Sequence, residues 1–263
     1  MNAKILAVTS GKGGVGKTFV SANLAAALAE RGERVLVLDA DLGLANLDIV
    51  LNLHPKITLH DVFTGKATLE QAILPAPGGF SVLLAGSGLV EYSRLTPQVR
   101  EQLVDIIAQV RPRFDRILLD TGAGISDVVL HAVSLADDVL VIATPEPTSM
   151  TDAYATIKVL ATLQKRRHIR VVVNQVSAMG EGRTICNQLQ LVVDRFVAPQ
   201  LKAEGDGAPL VLELLGEIPS DPAVKEAVKK RSLLLLSQPG SPAGQAVNAA
   251  ASRLMAEAAT EKA

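Results

Sequence analysis

The stretch Ser10-Gly11-Lys12-Gly13-Gly14-Val15-Gly16-Lys17-Thr18 holds the residue types that bind phosphate. From Gly11 to Thr18 it fits the pattern G-x-x-x-x-G-K-[ST]. Glycines let the backbone curl so that successive N–H groups converge on an anion. Lys17 is spaced to reach β- and γ-phosphates, and the Thr18 hydroxyl to hold Mg²⁺. Gly11, Lys12, Gly13, Gly14, Val15 and Gly16, with Phe19 just beyond the motif, complete the expected nucleotide-binding set. The pattern works only between a strand and a helix. Ile5-Leu6-Ala7-Val8 before it reads as a buried strand, and Val20 to Leu28 after it as a helix aiming its positive end at the same point.

Carboxylates follow at two later strand ends. Val35-Leu36-Val37-Leu38 runs into Asp39-Ala40-Asp41, well placed for a Mg²⁺ and water site; acids in this position also cap helices. Ile117-Leu118-Leu119-Asp120 then enters Thr121-Gly122-Ala123-Gly124, an aliphatic strand ending in a carboxylate that can bind Mg²⁺ through water. Behind a phosphate loop, this segment can sense a γ-phosphate. After Val171-Val172-Val173 comes Asn174-Gln175-Val176-Ser177, which lacks the Lys and Asp of the guanine-reading string Asn-Lys-x-Asp. The four histidines, His54, His60, His131 and His168, show no metal-ligand spacing.

The elements that must position these groups are those of an α/β protein. Of 263 residues, 48% are hydrophobic and only 3% aromatic, so the core is aliphatic. Strand-like runs at Ile5–Val8, Val35–Leu38, Phe80–Ala85, Arg116–Asp120, Val139–Thr144, Arg170–Asn174 and Leu210–Ile218 (with a break) alternate with helical stretches. The helices are expected at Pro97–Val110, Asp127–Ala136, Thr151–Lys165, Arg183–Lys202, Asp221–Arg231 and Gly244–Ala258. Apolar strands between helices predict a mainly parallel twisted sheet covered on both faces, with ligands at the strands' carboxyl ends. Glu204-Gly205-Asp206-Gly207 reads as a loop. The expectation is one domain over 1–263 with a C-terminal helix at about 241–259. One cysteine, Cys186, precludes an internal disulfide and fits a cytosolic setting. A net charge of −1 gives no overall pull toward DNA or acidic lipid. Residues 2–4 lead straight into the first strand, which predicts no signal peptide.

The string Lys12-Gly13-Gly14-Val15-Gly16-Lys17-Thr18 resembles the deviant phosphate loop of the MinD/ParA ATPases. The resemblance extends from Ile5 to about Leu236. In that family the first lysine, here Lys12, crosses to the phosphates of a second copy in an ATP-dependent sandwich dimer. The resemblance implies Asp39 near the Mg²⁺ shell with Thr18 and Asp120, and Asp41 positioning the attacking water. With Lys12, Lys17 and Asp41 it gives the catalytic set. Gly216-Glu217-Ile218-Pro219-Ser220-Asp221-Pro222 resembles the family's adenine-pocket loop, which implies Asn174 on the base with Pro219 and Asp221 beside it. Asp221 is at the same time a good helix N-cap.

Narrower features resemble the flagellar-number branch, FleN/FlhG: Asp39 to Asn46, Asp120 to Ile125, and above all Thr144-Pro145-Glu146-Pro147-Thr148-Ser149-Met150-Thr151-Asp152-Ala153-Tyr154. That Pro-rich turn and helix would sit beside the phosphates and carry nucleotide state to the dimer surface. Glu181-Gly182-Arg183 and Asp194-Arg195-Phe196 also fit. The implied protein is a slow, partner-stimulated ATPase using ATP/ADP and Mg²⁺. Its implied partners are a second copy and a flagellar transcription activator or an FlhF-like GTPase, the extension by which some FlhG proteins stimulate FlhF being absent. The implied location is cytoplasmic, reaching a pole or the membrane through a partner. Ala246 to Met255 is Ala-rich with few bulky residues, which predicts a packed helix rather than an anchor. Lys229-Lys230-Arg231 before Leu233–Leu236 is the better candidate for an interaction patch, or a solvated helix end. Rivals are a ParA-type DNA-partition ATPase, a MinD-type division-site protein, and a ligase or pump ATPase on the same fold. Iron–sulfur carriers of the superfamily need paired cysteines.

Overall fold

The structure, a computed structural model, describes residues 2–43, 46–86, 95–205 and 207–260. Leu44 and Ala45 in the stretch after Asp41, and Asp206 in the 204–207 loop, lie outside the described residues. The chain runs β1 (Lys4–Ser10), α1 (Lys17–Glu30), β2 (Val35–Ala40), α2 (Leu47–Leu51), α3 (Leu59–Phe63), α4 (Leu69–Ala72), β3 (Ile73–Pro75), β4 (Ser81–Leu83) and α5 (Pro97–Val110). It continues β5 (Arg116–Ala123), α6 (Asp127–Ser134), β6 (Asp138–Ala143), α7 (Pro147–Leu163), β7 (His168–Val176), α8 (Glu181–Phe196), α9 (Ala198–Ala203), β8 (Val211–Pro219), α10 (Pro222–Lys229), α11 (Leu234–Ser237) and α12 (Pro242–Thr260).

The strands form one sheet in the order β3-β4-β2-β5-β1-β6-β7-β8. All pairings are parallel except β3 with β4. Period-two alternation splits the core between the two faces. Ile5, Ala7, Ile117, Leu119, Val139 and Val141 pack with α3 to α9. Leu6, Val8, Leu118, Leu140 and Ile142 pack with α1, α2 and α10 to α12. The central strands β1, β2 and β6 are apolar on both sides because each side is covered. The order changes direction around β1, whose neighbours are β5 and β6, and a crevice opens at the carboxyl ends there.

The strand expectations hold, with instructive edges. The break expected within Leu210–Ile218 is a bulge in mid-β8: Val171 pairs with Leu214 but Val172 with Gly216, so Leu215 is the extra residue. The helix expected over Arg183–Lys202 is two, because Pro199 cannot supply an N–H and α9 restarts after Val197. α12 buries Val247, Ala250, Ala251 and Leu254 against α1 and β8. Arg31 fastens it through the side chains of Asn248 (3.1 Å) and Ser252 (3.3 Å). Its bulky residues are therefore spent on the core, as the Ala-rich sequence predicts. Leu233, Leu234 and Leu235 are buried likewise, and only Leu236 of that run is exposed.

At the other end of β5, Arg116 is buried and makes a two-pronged ion pair with Glu33 (2.7 and 3.0 Å). Removing one partner strands a buried charge. Glu33→Ala should cost about 3–5 kcal/mol in urea unfolding. Lys230→Ala breaks the exposed Lys230–Glu226 pair and should cost about 0.5 kcal/mol or less.

Candidate functional site

The turn from β1 into α1 cannot be built from ordinary residues. Gly14 and Gly16 have φ of 77° and 97°, in the left-handed region that a Cβ disfavours. Gly16 is the N-cap of α1 and makes no side-chain cap, so the first N–H groups of the helix are left for an anion. Gly11 is constrained differently: a Cβ there would run into the Asp152 carbonyl of α7. The loop edges a cleft of about 860 Å³ walled by Gly13, Gly14, Gly16, Lys17, Thr18, Phe19, Asp41, Asn46, Thr121, Gly122 and Ser126. This is a volume suited to a nucleotide.

Lys17 lies over the cleft floor and donates to Ser10 Oγ at 3.1 Å, while Ser10 donates in turn to the Lys12 carbonyl at 2.7 Å. Burial lowers the Lys17 pKa, and the charges of Asp120 and Asp41 oppose that shift. Asp120 is 3% exposed and accepts hydrogen bonds from Thr18 and from Ser21 Oγ (2.9 Å). Burial is the main reason its pKa is pushed up to about 6, despite those donors and Lys17.

Asp39 is the in-register neighbour of Asp120 across the β2–β5 ladder, so the two carboxylates share one face. Asp39 is 1% exposed, with one oxygen accepting from the Asp41 N–H (3.1 Å) and the other, Oδ2, without a partner. Burial, then Asp120, drives its pKa well above the usual carboxylate range. Asp39 borders a second, smaller cavity with Asp48, His54 and Thr58 rather than the main cleft. Asp41 does face the cleft, and Gly122 leaves its carboxylate room: a Cβ would stand 3.4 Å away. Of the expected Mg²⁺ set, Thr18 borders the main cleft and Asp120 lies behind it accepting from Thr18, which suits an ion held partly through water, while Asp39 opens to the second cavity. Among the described residues no three His, Cys, Asp or Glu side chains form a metal cage. A Mg²⁺ completed by phosphates and water does not need one.

Three expected residues behave in ways the sequence did not show. Lys12 turns from the cleft to α7, donating to Glu146 (2.6 Å) and Thr148 (2.9 Å). Asn174, 6% exposed, donates to the Val15 carbonyl at 2.8 Å. Asp221 spends both carboxylate oxygens on backbone, accepting from Ala223 (2.8 Å) as N-cap of α10 and from Ala243 (3.1 Å) of α12. Pro219 ends β8 beside it, and neither Asn174, Pro219 nor Asp221 borders the main cleft. Ser10, Ser21, Glu146 and Asp152 gained no role from the sequence; only Ser21 had a local signal, lying three residues beyond Thr18 on the same helical face.

A family model matches residues 2–255: ParA, described as NUBPL iron-transfer P-loop NTPase. The iron-transfer part of that description finds no cysteine pair here, since Cys186 is the one cysteine and is buried. The antiactivator FleN of Pseudomonas aeruginosa is 41% identical over 251 residues, 95% of this chain and 86% of FleN. The flagellum site-determining protein YlxH of Helicobacter pylori is 33% identical over 98% of this chain and 84% of its own length. The septum site-determining protein MinD of Pyrococcus horikoshii, solved with Mg-ADP, superposes with a TM-score of 0.72 at 28% identity, covering 96% of each chain. The phosphate loop, the paired strand-end carboxylates and these matches along nearly the whole length agree: the chain belongs to the ParA/MinD family of P-loop NTPases.

Proposed function

We propose that this chain is an ATP-dependent dimerising switch that regulates flagellar number or placement. The observation that carries the reading is the placement of Lys12, the first lysine of the phosphate loop. Lys12 sits at the rim, outside its own cleft, paired with Glu146 and Thr148 at the start of α7. A cation there has a second copy's phosphates as its natural target, since its own loop already surrounds the phosphates it holds. Lys17 and the N–H groups of α1 bind the triphosphate, and adenine lies on the side of Asn174, Pro219 and Asp221. Thr18, with Asp39 and Asp120 through water, holds Mg²⁺, which when bound neutralises phosphate charge. Asp41 orients the attacking water. Hydrolysis is slow until a partner stimulates it, and loss of the γ-phosphate lets the dimer part.

The flagellar role is supported by the identity to proteins named antiactivator FleN and flagellum site-determining YlxH. The partner would be a flagellar transcription activator or an FlhF-like GTPase. The division-site and DNA-partition readings are weaker. α12 buries its bulky residues, so membrane contact is weak or made through a partner, and the net charge of −1 offers DNA little. No helix among the described residues is long and apolar enough to cross a membrane. The proposed location is the cytoplasm, with a pole or the membrane reached through a partner.

Cells lacking the chain should carry more or misplaced flagella by electron microscopy, and re-expression should correct this while Lys17→Ala should not. Unchanged flagella would overturn the flagellar role and leave the ATPase assignment standing. In light scattering with ATP, Lys12→Ala should lose the dimer while keeping monomer affinity within about threefold, and Glu146→Gln should dimerise at equal or lower ATP. An undiminished dimer in Lys12→Ala would remove the cross-subunit role. Asp120→Asn tests the metal side. The folded-state pKa of about 6 lies above the ordinary 3.8, so the stability given by the proton is lost as pH rises through 6. A neutral Asn keeps it. At pH 7.5 without nucleotide the variant should therefore melt higher than the parent, yet gain nothing from Mg²⁺ and ATP and hydrolyse none.

A further inference from the structure

Asn174 lies two residues before the end of β7, where its side chain meets the phosphate loop. Its Nδ2 donates to the Val15 carbonyl at 2.8 Å, and its Oδ1 accepts the Gln175 N–H at 2.9 Å. The two bonds fix the amide's orientation, because a flip would set oxygen against carbonyl oxygen and N–H against N–H. The same nitrogen lies where a Cβ on Gly16 would stand. Gly16 is thus needed twice, once for its φ of 97° and once for the approach of Asn174.

The strand is deformed to make this contact. The β7–β8 register slips between Asn174 and Val176, and the intervening Gln175 has a φ of 62°, left-handed for a residue with a Cβ. Gln175 itself is exposed. A bulge of this kind re-aims a neighbouring side chain, and the neighbour here is Asn174, whose contact is the loop carbonyl directly before Gly16.

We propose that Asn174 is a positioning residue for phosphate binding. Its amide pins Val15 and Gly16 to the end of β7, so that the α1 N–H groups and Lys17 face the phosphates before nucleotide arrives. The proposal rests on reading the Lys12–Thr18 loop as the phosphate site. It differs from a role in recognising the base, which would change affinity only for ligands that carry one.

The test compares the full-length parent, Asn174→Ala and Asn174→Asp. The aspartate keeps the volume and the acceptor for Gln175 but turns an oxygen toward the Val15 carbonyl. Affinities for Mg²⁺·ATP, Mg²⁺·GTP and Mg²⁺·tripolyphosphate are read by competition against a fluorescent ATP analogue, with thermal melts to confirm folding. Both variants should lose about tenfold for ATP and by the same factor for tripolyphosphate, which has no base, while the ratio of ATP to GTP affinity stays within about twofold. Tripolyphosphate affinity unchanged in a folded variant, or a collapse of the ATP-to-GTP ratio, would overturn the positioning role. A parent chain that binds none of the three would instead refute the nucleotide site on which the proposal stands.

Discussion

The site is governed by a crowding of like charge. Asp39 and Asp120 lie side by side in register under the phosphate loop, Asp41 stands two residues on, and Lys17 is the nearest cation offered to them. Burial penalises the ionised forms of Asp39 and Asp120, and their raised pKa values record the strain. A protein selected for stability alone would not keep two buried carboxylates in adjacent strands, one with an orphaned oxygen. A divalent cation beside them would offset that cost, as the proposed Mg²⁺ site requires.

A second line of coupling runs through α7. The backbone of Asp152 fills the space beside Gly11, and Glu146 and Thr148 hold the Lys12 side chain. Asn174 grips the far side of the loop from β7. The loop is clasped between two elements of the sheet's second half while its carboxylates come from β2 and β5 of the first. Two of these contacts are close: the Asp152 carbonyl and the Asn174 amide each occupy space that a Cβ on Gly11 or Gly16 would need.

The parallel sheet was legible because its central strands are apolar on both faces, and the phosphate loop because Gly14 and Gly16 are needed for backbone reasons that leave a sequence trace. β3 and the short helices α2, α3, α4 and α11 escaped: at three to five residues they complete too little of a period to show. In the site, the strand-end carboxylates Asp39, Asp41 and Asp120 were legible as a group, and the structure brings Asp39 and Asp120 side by side. Residues that act across the fold were not legible. Nothing local marks Glu146 as the partner of Lys12, 134 positions away, or Asn174 as a brace for Val15, 159 positions away. At Asp221 the N-cap expectation is met, and its second oxygen holds α12, a contact 22 positions away that nothing local marks.

The strength of the Lys12 pairing decides whether it can act as a switch at all. Its side chain is 36% exposed and that of Glu146 62%, so water competes for both ends of the 2.6 Å ion pair. Pairs so exposed are worth about 1 kcal/mol or less. The contact with α7 is enough to keep the lysine off its own cleft, yet far weaker than what several phosphate oxygens at a dry interface can supply. A buried pair such as Arg116–Glu33 would have locked the lysine in place. An exposed one leaves the outcome to the nucleotide, and in the proposed dimer Glu146 and Thr148 would lose the lysine to the second copy's phosphates.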